Sequence, residues 1–274
     1  MIFLQRIPAP PLDSSIAAIW YCASGPRPHA LERVLPTGSA QLIVNLAEDQ
    51  TRAYIQDADG FRMTTSSGTV LAGVQSRFSI IDTLEQQHVL GVSFKPGGTV
   101  PFFRIPAHET CDADLSLDLV WGRGAMELRE QLMEAADPAA KLDTMERALR
   151  ARWRPKAMHA AVEFAIETLT HHAQAVRIAE VANRVGLSPK RFIEHFKNAV
   201  GVSPKQYCRI LRFQSALGFA QRGQRVDWTR IALECGYFDQ SHFIHDFRSF
   251  SGITPTGYQS DRTEFRNHVK FLQF

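Results

Sequence analysis

Cysteine is scarce in this sequence. The 274 residues contain four cysteines, Cys22, Cys111, Cys208 and Cys235, which lie far apart and form no Cys-x-x-Cys pair. This spacing argues against a disulfide framework and against a zinc site built from cysteine pairs. Only two of the four lie in the first half, so the sequence also lacks the cluster of metal-bound cysteines that an alkyl-transfer repair domain requires.

Long apolar runs are missing as well. The longest, around residues 16–23, is far too short to span a bilayer. The first residues lack the charged leader and the apolar stretch of roughly 7–15 residues that define a signal peptide. We therefore expect a cytoplasmic location and no membrane partner.

The first half has no motif for binding a metal or a phosphate. Its histidines, His29, His88 and His108, are isolated and form no His-x-His pair near an acid. The glycine-rich residues 95–98 lack the Gly-Lys-Ser or Gly-Lys-Thr ending that a phosphate-binding loop needs. We predict no catalytic residue, no metal and no cofactor, and hence no enzyme.

A repeated pattern occupies residues 181–258. Apolar, glycine, phenylalanine and proline positions of a first copy recur about fifty residues later in a second copy. The matched segments are residues 181–187 with 231–237, 192–197 with 243–248, and 201–207 with 252–258. Such self-similarity indicates a duplicated structural unit.

Each copy has the pattern of a helix-turn-helix. Gly186 or Gly236 ends a first helix, and Ser188 or Asp239 then caps a second one, whose two phenylalanines lie four residues apart and face inward. We place the two units at about residues 177–198 and 227–250. Residues 205–222 between them contain no proline and predict one helix of roughly 25–27 Å. With the packing at each end, that helix could separate the two second helices by about one DNA turn, roughly 34 Å.

These residues resemble the DNA-binding module of the AraC/XylS family of bacterial transcription regulators, over about residues 158–258. The resemblance rests on the spacing of the two copies, on their Gly-Val-Ser-Pro-x-x-Tyr and Gly-Ile-Thr-Pro-x-x-Tyr ends, and on the long connecting helix. It implies double-stranded DNA as a partner and leaves RNA polymerase, a small-molecule effector and a second copy of the chain open. The implied base-contacting residues are Lys190, Arg191 and Glu194 in the first copy and Gln240, Ser241 and His245 in the second, where His242 shares the outward face. Glu194 is acidic and Ile193 apolar where the family often has polar or basic groups.

Charge is distributed unevenly along the chain. Residues 1–150 hold 13 basic and 18 acidic side chains, whereas residues 151–274 hold 18 basic and 10 acidic ones. The basic half contains the repeat, as expected for a surface that binds a phosphate backbone. We predict phosphate contacts from Ser188, Lys197, Arg209, Arg212 and Arg248. His242, His245 and Asp246 share one helical face and could in isolation hold zinc, but the repeat predicts that this face enters DNA.

The first half has the pattern of a β-rich domain. Eight short segments rich in β-branched and aromatic residues are separated by Gly, Pro or Asp, at residues 16–22, 31–35, 41–46, 52–56, 61–64, 69–72, 78–84 and 89–94. Residues 57–60 and 36–39 predict hairpin turns. The segments favour an antiparallel barrel or sandwich. Amphipathic helices are predicted at residues 117–136 and 138–153, and residues 259–274 as either a short helix or a frayed tail.

The first half also resembles the uncharacterised N-terminal domain that precedes the same DNA-binding module in a subgroup of AraC-like regulators. The matching residues are 34–38, 73–75 and 91–98, followed by Pro101, Phe102 and Phe103. By analogy with other sensor domains of the family, the resemblance implies a cupin-like barrel. Seven aromatic residues could line an effector pocket or simply pack the core: Trp20, Tyr21, Tyr54, Phe78, Phe94, Phe102 and Phe103.

The sequence thus predicts an α+β protein of two domains. Residues 1–153 form an antiparallel β-rich domain with trailing helices, for sensing or dimerisation, and residues 154–274 form an all-α domain with two helix-turn-helix motifs. The boundary is placed at residues 154–156, where Pro155 disfavours a helix. The predicted function is a sequence-specific regulator controlled by a small molecule. The alternative is that the first domain is an interaction module without a ligand.

Overall fold

The β-rich part of the molecule consists of two antiparallel sheets. The computed structural model describes residues 1–57, 60–173, 178–222 and 226–272. The strands are β1 (Ile2–Arg6), β2 (Ile16–Ala23), β3 (Leu31–Val34), β4 (Gln41–Asn45), β5 (Gln50–Asp57), β6 (Gly60–Ser67), β7 (Thr69–Ala72), β8 (Ser79–Asp82), β9 (His88–Phe94), β10 (Asp114–Ser116) and β11 (His268–Phe271). One sheet has the order β1-β2-β9-β4-β7-β10 and the other β11-β3-β8-β5-β6.

Ten α-helices are described between β10 and β11. They are α1 (Asp118–Trp121), α2 (Arg123–Glu134), α3 (Pro138–Arg152), α4 (Ala160–His172), α5 (Ile178–Arg184), α6 (Pro189–Val200), α7 (Pro204–Arg222), α8 (Trp228–Glu234), α9 (Gln240–Ser251) and α10 (Pro255–Asp261). None of the described helices is both long and apolar enough to cross a membrane. The predicted α+β arrangement, with antiparallel strands followed by helices, is confirmed.

Most sequence patterns correspond to the elements they predict, with informative exceptions. The helix predicted at residues 117–136 is split in two at Gly122, whose φ of +57° is incompatible with a continuous helix. Residues 36–39 were predicted as a hairpin turn, and this is wrong because β3 and β4, which flank them, belong to different sheets. The predicted turn at residues 57–60 includes Ala58 and Asp59, which lie outside the described residues, although Asp57 does pair with Gly60.

Residues 268–271 form a strand, which neither predicted alternative for residues 259–274 includes. β11 pairs antiparallel with β3, with His268 opposite Val34 and Phe271 opposite Leu31. Val269 is fully buried and Phe271 is nearly so, while His268 and Lys270 on the other face are half-buried. A strand that follows the helices in sequence therefore completes the five-stranded sheet of the first half. The division into residues 1–153 and 154–274 stays a prediction, and β11 lies across it.

A continuous apolar core also joins the two halves. It runs from Leu12 and Phe94 in the β-rich part to Phe196 and Tyr207 among the helices. The Tyr207 ring is buried against Gly38, whose φ is +82°, and a Cβ at that glycine would lie 3.2 Å from Cε2 of the ring. Because the tyrosine contacts the linker between β3 and β4, α7 is fixed to the β-rich half at its first turns.

Replacing Tyr207 by Ala should destabilise the whole chain. The side chain is 1% exposed, and truncating such a large buried ring costs about 3–5 kcal/mol. Since the core is continuous, we expect urea unfolding monitored by near-UV and far-UV circular dichroism to shift together in one transition. Phe238→Ala is the matched control, because that aromatic ring is 89% exposed and its loss should change stability by less than about 0.5 kcal/mol. Two separate transitions would contradict the shared core.

Candidate nucleic-acid interface

The first helix-turn-helix is formed by α5 and α6. Gly186 has a φ of +67°, which allows the sharp turn after α5. The Ser188 hydroxyl accepts a hydrogen bond from the Arg191 N–H at 3.4 Å, and Pro189 begins α6. Phe192 and Phe196 are fully buried. Burial of this face turns the opposite one outward, where Lys190, Arg191, Glu194 and Lys197 are exposed.

The second unit, α8 and α9, repeats this construction with stronger caps. Gly236 has a φ of +75°, and the Asp239 carboxylate accepts a hydrogen bond from the His242 N–H at 2.7 Å. Phe243 and Phe247 are buried, and the Trp228 ring stacks on Phe243 with their centroids 5.9 Å apart. The outward positions Gln240, Ser241, His242, His245 and Arg248 are all exposed. The seven residues predicted to contact bases therefore lie on the accessible faces of α6 and α9.

An ion pair fixes α9 to the connecting helix. Arg209 Nη2 lies 2.7 Å from Asp246 Oδ1, and Arg209 Nε lies 3.3 Å from Asp246 Oδ2. The guanidinium also lies 5.1 Å from the centroid of the Phe250 ring. The Asp246 side chain is only 3% exposed, so removing the arginine would leave a buried charge without its partner. Asp246 thus positions α9, although the sequence placed it on the outward face. Its spacing three residues after the buried Phe243 is the signal that could have placed it inward.

Two predicted phosphate contacts have partners within the chain. Arg209 makes the pair just described, and the Arg212 guanidinium lies 5.2 Å from the Tyr237 ring centroid and donates to the Gly236 carbonyl at 3.4 Å. Lys197 and Arg248 are exposed, as is Ser188, whose hydroxyl caps α6. Phosphate contact stays a prediction for all five residues. Within the chain, Arg209 holds α7 against α9, and Arg212 holds α7 against the turn at Gly236.

A cavity of about 180 Å³ lies between the two sheets. Most of its wall surface is apolar, and its polar groups include Arg52, Glu85, Gln86, Asp114 and His268. Of the seven aromatic residues considered for an effector pocket, Trp20 borders this cavity. Tyr21, Phe94, Phe102 and Phe103 belong to the large core, and Tyr54 and Phe78 pack on a smaller cluster around Ile80.

Arg52 brings a buried cationic group to the cavity wall. Its Nη2 pairs with Glu48, while Nη1 has no hydrogen-bond partner among the described residues and lies 3.6 Å from Glu85 Oε1. Burial raises the pKa of Glu85 to about 8, and the backbone N–H and the charge of Arg52 offset that effect only in part. At neutral pH Glu85 is therefore largely uncharged, and Glu48 supplies the negative charge that is paired with Arg52.

A second buried carboxylate lies beside the cavity. Glu32 is fully buried and receives hydrogen bonds from Gln86 Nε2 at 2.8 Å, His29 Nε2 at 2.6 Å and His268 Nδ1 at 2.7 Å. Burial raises the pKa of Glu32, but the hydrogen bond and charge of His268 with the other two donors outweigh it and lower the pKa to about 2. His29, isolated in the sequence, is thus part of a network that β11 completes. No group of three or more metal-binding side chains occurs within the described ranges.

Comparison with known proteins agrees with this geometry. Residues 181–261 match the model of a helix-turn-helix domain family, and residues 4–116 match a domain of unknown function, DUF6597. The chain thus contains a helix-turn-helix domain of the matched family. The helix-turn-helix model covers both units described above from Val181 onward.

Individual relatives are more distant. The chain is 29% identical over 167 residues to a probable thc operon regulatory protein of Rhodococcus erythropolis, covering 52% of this chain and 50% of the relative. It therefore spans about half the length of that curated relative. Among solved structures, ToxT of Vibrio cholerae has a TM-score of 0.47 at 10% identity over 95% of this chain and 98% of its own. An AraC-type regulator of Chromobacterium violaceum has a TM-score of 0.34 at 24% identity over 38% and 93%, respectively.

The raised pKa of Glu85 predicts a pH-dependent loss of stability. The folded chain keeps a proton that the unfolded chain releases above the ordinary pKa of 4.5, so stability should fall as pH rises from about 4.5 to about 8. Glu85→Gln keeps the hydrogen-bond acceptor without a charge. We expect the variant to match the native chain near pH 5 in urea denaturation and to exceed it by about 2–4 kcal/mol near pH 9.

The matched control for this pH effect is Glu234→Gln, which removes an exposed carboxylate of α8. That variant should change the pH profile little, because an exposed carboxylate is screened by solvent. A parallel pH profile for the native chain and Glu85→Gln would contradict a protonated Glu85.

Proposed function

We propose that this chain is a sequence-specific transcription regulator that inserts α6 and α9 into successive major grooves of duplex DNA. The observation that carries the proposal is the pair of helix-turn-helix units, each presenting exposed polar and basic groups on its second helix. The connecting helix α7 has 19 residues and is therefore roughly 28 Å long. With the helices packed at its ends, this length suits two grooves separated by about one DNA turn, roughly 34 Å.

The exposed side chains differ in what they can recognise. An amide such as Gln240 can pair with both hydrogen-bonding groups of an adenine edge, and Lys190 or Arg191 can donate to guanine. Glu194 can accept a hydrogen bond from a cytosine amino group. Lys197 and Arg248 are suited to phosphates, which orient a protein on DNA without reading its sequence. We assign base contacts to the first group and to Ser241, His242 and His245 beside Gln240.

We further propose that the cavity between the sheets binds a small effector. The volume of about 180 Å³ slightly exceeds the roughly 150 Å³ of an apolar cavity that holds benzene. Most of the wall surface is apolar, and Arg52 Nη1 is buried without a hydrogen-bond partner among the described residues. A compact apolar molecule with one anionic group, such as a single-ring carboxylate, would bury its body there and pair its charge with Arg52. The competing proposal is a first half that binds only proteins.

For DNA recognition, we expect full-length protein to select genomic fragments that share two half-sites about ten base pairs apart. On that motif Gln240→Ala should cost about 1–3 kcal/mol and relax the sequence preference, whereas Lys197→Ala should weaken all DNA equally and reduce the salt slope by about one. Electrophoretic titrations at two salt concentrations measure both effects. Glu130→Gln, on the exposed face of α2, is the control. If Gln240→Ala weakened cognate and scrambled DNA alike, its base-reading role would be refuted.

For the effector, we expect a panel of single-ring carboxylates, each tested beside its uncharged amide, to raise the melting temperature of the full chain. A ligand at 100 times its Kd adds about 2.7 kcal/mol of stability. Arg52→Met should abolish the preference for the acid over the amide, while Arg230→Met, at an exposed position of α8, should preserve it. Flat responses to the whole panel together with a stable homodimer would favour the interaction module.

A further inference from the structure

The wall of the cavity includes a residue from the far end of the chain. His268 lies on β11, follows the last helix of the second helix-turn-helix in sequence, and borders the cavity between the sheets. Its Nδ1 lies 2.7 Å from Glu32 Oε2 on β3. The cavity is therefore not confined to the β-rich half, and a molecule inside it contacts the segment that continues from the DNA-facing helices.

β11 in turn shares an apolar cluster with the second helix-turn-helix and contacts α10. Val269 is fully buried in the same apolar cluster as Phe243 and Phe247 of α9. The Tyr258 hydroxyl of α10 donates to the Arg266 carbonyl at 2.9 Å, just before the strand, and its ring centroid lies 5.9 Å from that of Phe247. A displacement of β11 can therefore reach α9 through the shared apolar cluster and through Tyr258.

The connecting helix is tied to the same place. Gln214 of α7 donates through Nε2 to the Pro36 carbonyl at 2.8 Å and to Asn267 Oδ1 at 2.9 Å. Pro36 itself borders the cavity, and the Leu35 N–H donates to the Asn267 carbonyl at 2.8 Å. One glutamine thus joins the cavity wall, the start of β11 and the helix that sets the spacing of α6 and α9.

We propose that β11 is the element through which the cavity controls DNA binding. A ligand that contacts His268 changes how firmly the strand is held on β3, and the strand transmits that change to α9 and α7. A four-residue strand is short enough for such a change to matter, because local opening of a small element costs only part of the total stability. The inference rests on the proposed effector site, and it adds the path from that site to the recognition helices.

The test is a reversible lock on the strand. Leu31 and Phe271 face each other across β3 and β11, a separation that a disulfide spans. The full-length variant carries Leu31→Cys and Phe271→Cys, with Cys111→Ser because Cys22, Cys208 and Cys235 are buried. The same molecule is then compared oxidised and reduced, which cancels the effect of the substitutions. The matched control is Ala53→Cys with Thr64→Cys, a facing pair of the β5–β6 hairpin.

Two readings are taken from each protein. Locking β11 should slow amide hydrogen exchange in α9 and α10 at least about fivefold and change affinity for the selected DNA motif by at least about fivefold, as coupled sites do. The control lock should change neither. Equal exchange and equal affinity in the oxidised and reduced states would overturn the inference. If no DNA is bound in either state, the proposed function fails, and the exchange reading still decides whether β11 controls α9.

A second pair of variants assigns the effect to the cavity residue. His268→Ala should speed exchange in α9 relative to the native chain, because Glu32 loses one of its three donors. The control is Lys270→Ala on the same strand, because the Lys270 side chain does not border the cavity. Identical exchange in the two variants would exclude His268 as the contact through which a ligand acts.

Discussion

The buried carboxylate of Glu32 is the constraint that ties the C-terminal strand to the β-rich half. A charge removed from water costs several kcal/mol unless hydrogen bonds and opposite charge replace the solvent. The donors of Glu32 come from three separate segments, at His29, Gln86 and His268. Two of them lie within the β-rich half, but the third is present only when the C-terminal strand has returned to β3. Folding of the first half is thereby coupled to folding of the last residues.

The helical half applies the same principle at Asp246. Its carboxylate is buried beneath the outward face of α9 and is paired by Arg209 from the connecting helix. Around it the inward phenylalanines of α9 pack on Phe213 and Trp228. The buried face of α9 is therefore held in place by the Arg209–Asp246 ion pair and by aromatic packing. The exposed side chains of α9 are left free to contact another molecule.

Local patterns predicted local structure well, and the reasons are physical. Gly186 and Gly236 have the positive φ values that their turns require, and the buried phenylalanine pairs follow from helical spacing alone. Short segments rich in β-branched and aromatic residues likewise located the eight strands β2 to β9, but β1 and β10 were not predicted. By contrast, β11 shows alternation over only four residues, which is too short to separate a strand from a tail. The partners of Glu32 and Asp246 could not be predicted, because they depend on contacts between residues that are far apart in sequence. The cavity could not be predicted for the same reason, since it is formed where residues of the two sheets come together.

The return of β11 to the five-stranded sheet also bears on how such proteins can evolve. Regulators built from separable modules can diversify when a DNA-binding segment is joined to a new sensor. Here a recombination near Pro155 would separate His268 from Glu32, and Asn267 from its hydrogen bond with Leu35. The new sensor would lack a strand equivalent to β3 for β11 to pair with. The old sensor would keep β3 as an exposed sheet edge, and its buried Glu32 would lose the hydrogen bond from His268. The two halves of this chain are thus expected to be inherited together, and substitutions on β3 to be matched by substitutions on β11.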